Sequence, residues 1–154
     1  MITPTVPQLT PSFDVQVRLG SLDDLGETRA GHRRIIPIIG GRITGDIEAD
    51  ILPGGADWQR IRRDGAIEID VRCSARTDRG ELLFLQAAGV RTGSPAVLAA
   101  LSRGEQVPPE DYYFRTTVAI ETASPELSPL QDRLYLASCI RDADGVRYTA
   151  YRVT

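Results

Sequence analysis

Apolar and polar residues alternate over most of this chain, and turn-forming residues interrupt the alternation at hairpin spacing. Successive side chains of an extended strand point to opposite faces, so such a pattern predicts strands that are buried on one side. Phe13, Val15, Val17 and Leu19 are apolar, with Asp14, Gln16 and Arg18 between them. Residues 33–39 are a β-branched run in which Pro37, lacking a donor, marks an edge or a bulge. After Gly40-Gly41, residues 42–52 alternate again, and Pro53-Gly54-Gly55 forms a loop. A short strand at 58–62 turns at Asp64-Gly65 into a strand at 66–76. Asp78-Arg79-Gly80 turns the chain into a strand at 82–87. Later strands fall at 112–121, 134–140 and 146–153, the last two forming a hairpin across Asp144-Gly145. Residues 20–32 and 122–132 read as loops.

One helix is predicted, at 95–103. Ser94 caps it, Pro95 opens it, and Gly104 stops it. With about eight or nine strands and no strand–helix–strand alternation, the fold class is all-β. A single antiparallel β-barrel is favoured over a sandwich because closure removes strand edges. The 154 residues suit one domain. Residues 1–11 hold Pro4, Pro7 and Pro11 without periodicity and are expected to form a flexible arm, leaving 12–154 as the barrel.

Charge and composition exclude several functions. The net charge of −3 argues against a nucleic-acid partner, which needs a basic surface. No apolar run is long enough for a membrane span, and Met1-Ile2-Thr3-Pro4 opens no signal pattern, so a cytoplasmic location is the default expectation. All 18 basic residues are arginine, which excludes Schiff-base chemistry and a P-loop lysine. The same usage hints at a GC-rich bacterial genome. One histidine, His32, and two distant cysteines, Cys73 and Cys139, supply no metal cage, so neither a metal nor another cofactor is expected.

The run 66–76 carries the sharpest alternative. Ile67, Ile69, Val71, Cys73 and Ala75 share one face, and Glu68, Asp70, Arg72, Ser74 and Arg76 share the other. The polar face is either a solvated outer surface or the wall of a polar lumen. In the second case Asp70 and Arg72 form a charge pair beside a substrate. Asp57 and Trp58 follow the Pro-Gly-Gly loop and suit the rim of a pocket. Asp57 is the better general base, provided desolvation raises its pKa, because it stands farther than Asp70 from any obvious cation in sequence. Against this, Asp57 reads as a turn cap and Trp58 as core. Tyr113 and Arg115 share a strand face and together suit a carbonyl or a carboxylate, although an aromatic core with a surface arginine explains them equally. Arg34 lies in the basic stretch around His32, itself read as a surface histidine, and Cys73 reads as a packed thiol.

Four blocks carry a family resemblance. Gly31-His32-Arg33-Arg34-Ile35-Ile36-Pro37-Ile38-Ile39-Gly40-Gly41 and Leu52-Pro53-Gly54-Gly55-Ala56-Asp57-Trp58-Gln59 resemble the first two motifs of the domain-of-unknown-function family 3237. Arg76-Thr77-Asp78-Arg79-Gly80 and Tyr112-Tyr113-Phe114-Arg115-Thr116 resemble its third and fourth. The resemblance covers nearly all of the chain after the arm and implies one small antiparallel barrel with a lumen that can hold a small molecule.

Two functions then compete. The first is a cofactor-independent isomerase, cyclase or lyase acting on a small, partly apolar carbonyl or aromatic metabolite in the lumen. Asp57 and Tyr113 would be its catalytic residues, and Arg34, Trp58, Asp70, Arg72 and Arg115 its substrate-binding residues. The second is a non-catalytic binding barrel of lipocalin type. A homo-oligomer is compatible with either.

Overall fold

The computed structural model describes all 154 residues. It contains β1 (Leu9–Leu19), β2 (Asp23–Thr28), β3 (Gly31–Gly45), β4 (Ala49–Ile51), β5 (Ala56–Ile61), β6 (Ile67–Thr77) and β7 (Leu82–Thr92). These are followed by α1 (Pro95–Ser102), β8 (Tyr113–Thr122), β9 (Leu134–Arg141) and β10 (Gly145–Val153). Every pairing is antiparallel, and β1 bonds to both β10 and β3, which closes the sheet.

The ten strands make an eight-stave barrel with two extra strands. β4 and β5 lie end to end between β3 and β6 and together form one stave. β1 and β2 likewise share the other edge of β3. Gly55, in the break between β4 and β5, presses so closely on β6 that a Cβ there would lie 2.4 Å from the Arg72 carbonyl oxygen. Gly41 plays the same part at the closing seam. Its φ is +152°, and a Cβ would meet the Gln16 carbonyl oxygen at 2.1 Å.

Several boundaries differ from those expected. β1 starts at Leu9, whose partner is Val153, so residues 9–11 belong to a stave. The expected loop at 20–32 contains β2, which alternation does not reveal because five of its six residues are exposed. The expected strands at 33–39 and 42–52 are one long strand, β3, then a turn at 46–48 and the short β4. Pro37 sits where β2 gives way to β1 beside β3, close to a register shift between Arg18 and Leu19. The extra residue of that bulge is Ile39, two positions on from Pro37, which itself pairs with Ala56 on the other edge. β7 runs five residues past Ala87, to Thr92.

The two ends of the interior differ. At the end bounded by the turns 46–48 and 78–81, Phe13, Ile43, Ile47, Leu83 and Tyr135 are all at most 2% exposed, and the Phe13 and Tyr135 rings pack 5.6 Å apart. This half is solid. Burying each such side chain is worth about 1.5–3 kcal/mol.

The opposite end is crossed by α1. Ser94 caps this helix by accepting a hydrogen bond from the Val97 amide at 3.2 Å. Leu101 is buried in the barrel core, and Gly104 rests against Ala143 in the β9–β10 turn. No helix is long and apolar enough to cross a membrane.

Candidate functional site

Below α1 the barrel is unfilled. A cavity of about 40 Å³, counted as space open to the centre of a water molecule, lies among Val15, Val17, Ile38, Ile69, Leu85 and Phe114. A cavity that size accommodates a few water molecules or one compact polar group. Its polar lining is Asp57, Gln59, Arg91, Thr116, Arg141 and Tyr148.

Strand alternation aims these side chains inward. On β5, Asp57 stands opposite Val71 and Ile36, and Gln59 opposite Arg34. On β7 the inward series runs Leu83, Leu85, Ala87, Gly89, Arg91, and on β9 it runs Tyr135, Ala137, Cys139, Arg141. In both strands an apolar face ends in an arginine at the α1 end of the barrel.

Asp57 is 6% exposed, and both carboxylate oxygens are held. Oδ2 accepts from Gln59 Nε2 at 2.8 Å and Oδ1 accepts from the Asp70 amide at 3.1 Å. Arg34 donates to Gln59 Oε1 at 2.7 Å, so a chain of bonds runs from Arg34 through Gln59 to Asp57. Burial pushes the Asp57 carboxyl above its usual range, against the lowering pull of Gln59, the Asp70 amide and Arg91.

Three arginines surround this carboxyl. Arg141 donates to the carbonyls of Asp142 and Gly145, the latter at 2.8 Å. The Tyr112 hydroxyl accepts from the Arg141 amide at 3.1 Å. Arg91 is 3% exposed, and its guanidinium lies 5.1 Å from the Phe114 ring centre. No protein acceptor bonds it, and its Nε is buried without a partner. Burial pulls the pKa of all three guanidinium groups down, Arg91 to about 10, with Arg141 adding to the fall. At neutral pH all three remain cations.

Tyr148 also lines the cavity, and burial raises its phenol well above the ordinary value, so it stays a neutral donor. Burial raises the thiols of Cys73 and Cys139 to about 11 and about 12, which leaves neither a nucleophile at neutral pH. No three His, Cys, Asp or Glu side chains gather to hold a metal ion.

Of the residues singled out in the sequence, Asp57 and Arg34 meet at this site. The others do not. The polar face of β6 is the outer surface, where Asp70 and Arg72 pair at 3.6 Å, both substantially exposed. It is the apolar face, Ile67 to Ala75, that turns inward, because water solvates charge outside more cheaply than a lumen does. Tyr113 and Arg115 stack on each other outside the barrel, ring centre to guanidinium 5.5 Å. Trp58 lies on the outward side of β5, opposite Ile35. His32 binds Asp24 at 2.7 Å and Glu27 at 3.3 Å.

Arg91, Arg141 and Tyr148 escaped the sequence reading. The signal was an arginine continuing an apolar alternation at a strand end. In β7 it was hidden because Ala88-Gly89 reads as the end of the strand. The expectation that Asp57 stands far from cations also fails in space, since the barrel brings three arginines around it.

Comparison with known proteins agrees with this architecture. A family model described as a protein of unknown function, DUF3237, matches residues 7–153. A UPF0311 protein of Bradyrhizobium diazoefficiens is 38% identical over 141 residues, covering 92% of this chain and 93% of its own. The crystal structure of a beta-barrel like protein from Acinetobacter baumannii superposes with a TM-score of 0.86 at 39% identity, covering both chains completely. A crystal structure described as an enzyme from Penicillium herquei shares the fold at 15% identity, with a TM-score of 0.73 and coverage of 100% and 99%.

Proposed function

This chain belongs to the DUF3237 family, and from that premise we propose that it is a cofactor-independent enzyme moving a proton on a small, partly apolar carbonyl or aromatic metabolite held in the lumen. The observation that carries the reading is the Asp57 carboxyl, buried with raised pKa, facing arginine cations at the end of an apolar-walled cavity. A structural neighbour described as an enzyme lends the fold a catalytic precedent.

The step follows from the geometry. Ionised Asp57 takes a proton from the carbon beside a carbonyl, and the C–H electron pair moves onto the carbonyl oxygen. The enolate formed lies against Arg91, whose donors are free to receive it. The new carboxylic acid then returns the proton to a different carbon, giving isomerisation. In ring closure the enolate carbon attacks a second carbonyl carbon of the same molecule, whose oxygen takes the proton. In elimination a substituent on the next carbon departs with the electron pair and takes the proton. A raised carboxyl pKa suits this role because it brings the base closer in strength to a carbon acid. Tyr148, kept neutral, takes the donor role first assigned to Tyr113.

One observation favours the carrier instead: both Asp57 oxygens already accept bonds from the protein, as a purely structural carboxyl would. Exchange of carbon-bound hydrogen in deuterated water, followed by NMR over a panel of small enolisable ketones and keto acids, separates the two. The enzyme reading requires exchange above the buffer rate and a fall of about 10²-fold or more in Asp57→Asn. Exchange at the buffer rate leaves the carrier, and full activity in Asp57→Asn overturns Asp57 as the base.

A further inference from the structure

Three arginines come together at this end of the barrel, and their counter-charges are unequal. Arg34 has Asp24 and Asp57 nearby, and Arg141 has Asp142, Asp144 and Asp57, whereas Asp57 is the only carboxyl near Arg91. Arg34 is bonded to Gln59, and Arg141 to two turn carbonyls. Arg91 alone has no protein acceptor, although it is 3% exposed. Its guanidinium carbon lies over the Phe114 ring, 5.1 Å from the centre, and none of its donors bonds to protein. A buried guanidinium without an acceptor loses its hydration and gains nothing in exchange, unless a ligand supplies the missing partner.

We propose that the ligand of this lumen is an anion, a compact monocarboxylate whose charged group docks on Arg91, beside Arg141. The reading rests on the lumen being the ligand site; it does not rest on turnover. Three features of the cavity select this chemistry. A cavity of about 40 Å³ suits a planar three-atom headgroup and disfavours a tetrahedral phosphate. Arginine meets a carboxylate with two parallel hydrogen bonds. A neutral carbonyl would occupy one Arg91 donor and leave the others unpaired, whereas a carboxylate fills two and brings a counter-charge with it. The apolar walls, Val15, Ile38, Ile69 and Leu85, take the rest of the molecule.

Calorimetric titration of the full chain in low-salt buffer tests this with acetate and propionate, each against its amide of nearly the same shape. The acids are expected to bind at least about tenfold more tightly than the amides, the difference between a charge-assisted and a neutral hydrogen bond. Arg91→Met should abolish that preference. Arg91→Lys should keep its sign with weaker binding, which covers the case in which Arg91→Met fails to fold. Asp57→Asn should keep the preference whether or not exchange of carbon-bound hydrogen occurs, so the ligand's charge and the enzymatic reading stand or fall separately. Equal binding of acids and amides, no binding of either, or a preference that survives in a folded Arg91→Met protein each overturns the proposal.

Discussion

Two charge clusters sit at opposite ends of this barrel, and they differ in how much water reaches them. At the solid end one cation, Arg42, bonds three carboxylates: Glu48 at 3.1 Å, Asp50 at 3.2 Å and Asp78 at 2.9 Å. At the hollow end the buried Asp57 carboxyl acts on three arginines, Arg34, Arg91 and Arg141. Their titrations move in opposite senses. Hydrogen bonds from Arg42 lower the Asp78 carboxyl, and those with Asp78 and Asp50 raise Arg42. In the lumen burial raises Asp57 and lowers every arginine. Opposite charges therefore stabilise one another where water remains to solvate the excess. Where water is excluded, desolvation outweighs attraction and the charges stay available to a ligand. The Arg42 cluster acts as a clip, joining the β3–β4 turn to the β6–β7 turn.

The largest effect should come from letting water into the lumen. Leu101→Ala leaves a hole beneath α1, and a loss of about 2–5 kcal/mol in urea unfolding is expected. The contrast between the clusters should then fade, with the Asp57 carboxyl, followed by NMR, moving down towards the ordinary range. An Asp57 signal unmoved in the folded variant would mean that α1 does not keep the lumen dry.

Next in size is Arg91→Met. Replacing a buried, unpartnered cation by an apolar chain of similar length should raise stability by about 1–3 kcal/mol. Loss of stability in the same unfolding experiment would show that Arg91 holds the barrel together instead of waiting for a ligand.

Acid titration should separate the clusters by the sign of the slope. Asp57 has a folded pKa above its unfolded one. Its ionisation therefore weakens the fold as pH rises from about 3.8, the ordinary aspartate value, through the raised value. Asp78 is depressed, so its stabilisation is present above that ordinary value and is lost as pH falls through the folded one. Unfolding curves across this range should show Asp57→Asn removing the first slope and Asp78→Asn the second. The smallest effect belongs to Arg42→Met, a slight loss that 1 M salt erases, because these pairs lie in water. A large loss insensitive to salt would mean that the clip is shielded.

The barrel was legible because its signal is periodic: a strand with one wet and one dry face writes that difference at every second residue, as 66–76 does. The site was legible only in part. Asp57 stood out beside a loop of three turn-forming residues, and Arg34 lay in a β-branched run. Asp70, Arg72, Tyr113 and Arg115 misled because a polar run suggests a polar lumen, yet only isolated polar residues on an otherwise apolar face point inward here. Arg91 and Arg141 were of that kind, single departures at strand ends, and a period of two residues cannot show which departures converge. Convergence depends on the stagger of eight staves around a closed circuit.

The seam has a consequence for how the chain reaches this state. β1 pairs with β3 early in the sequence, but its other edge pairs with β10, matching Leu9 to Val153. During synthesis the sheet can grow strand by strand from β3 to β9 while β1 keeps an open edge until the final hairpin emerges from the ribosome. Contacts this distant along a chain make closure the slow step of folding and leave a window in which two nascent sheets can join edge to edge.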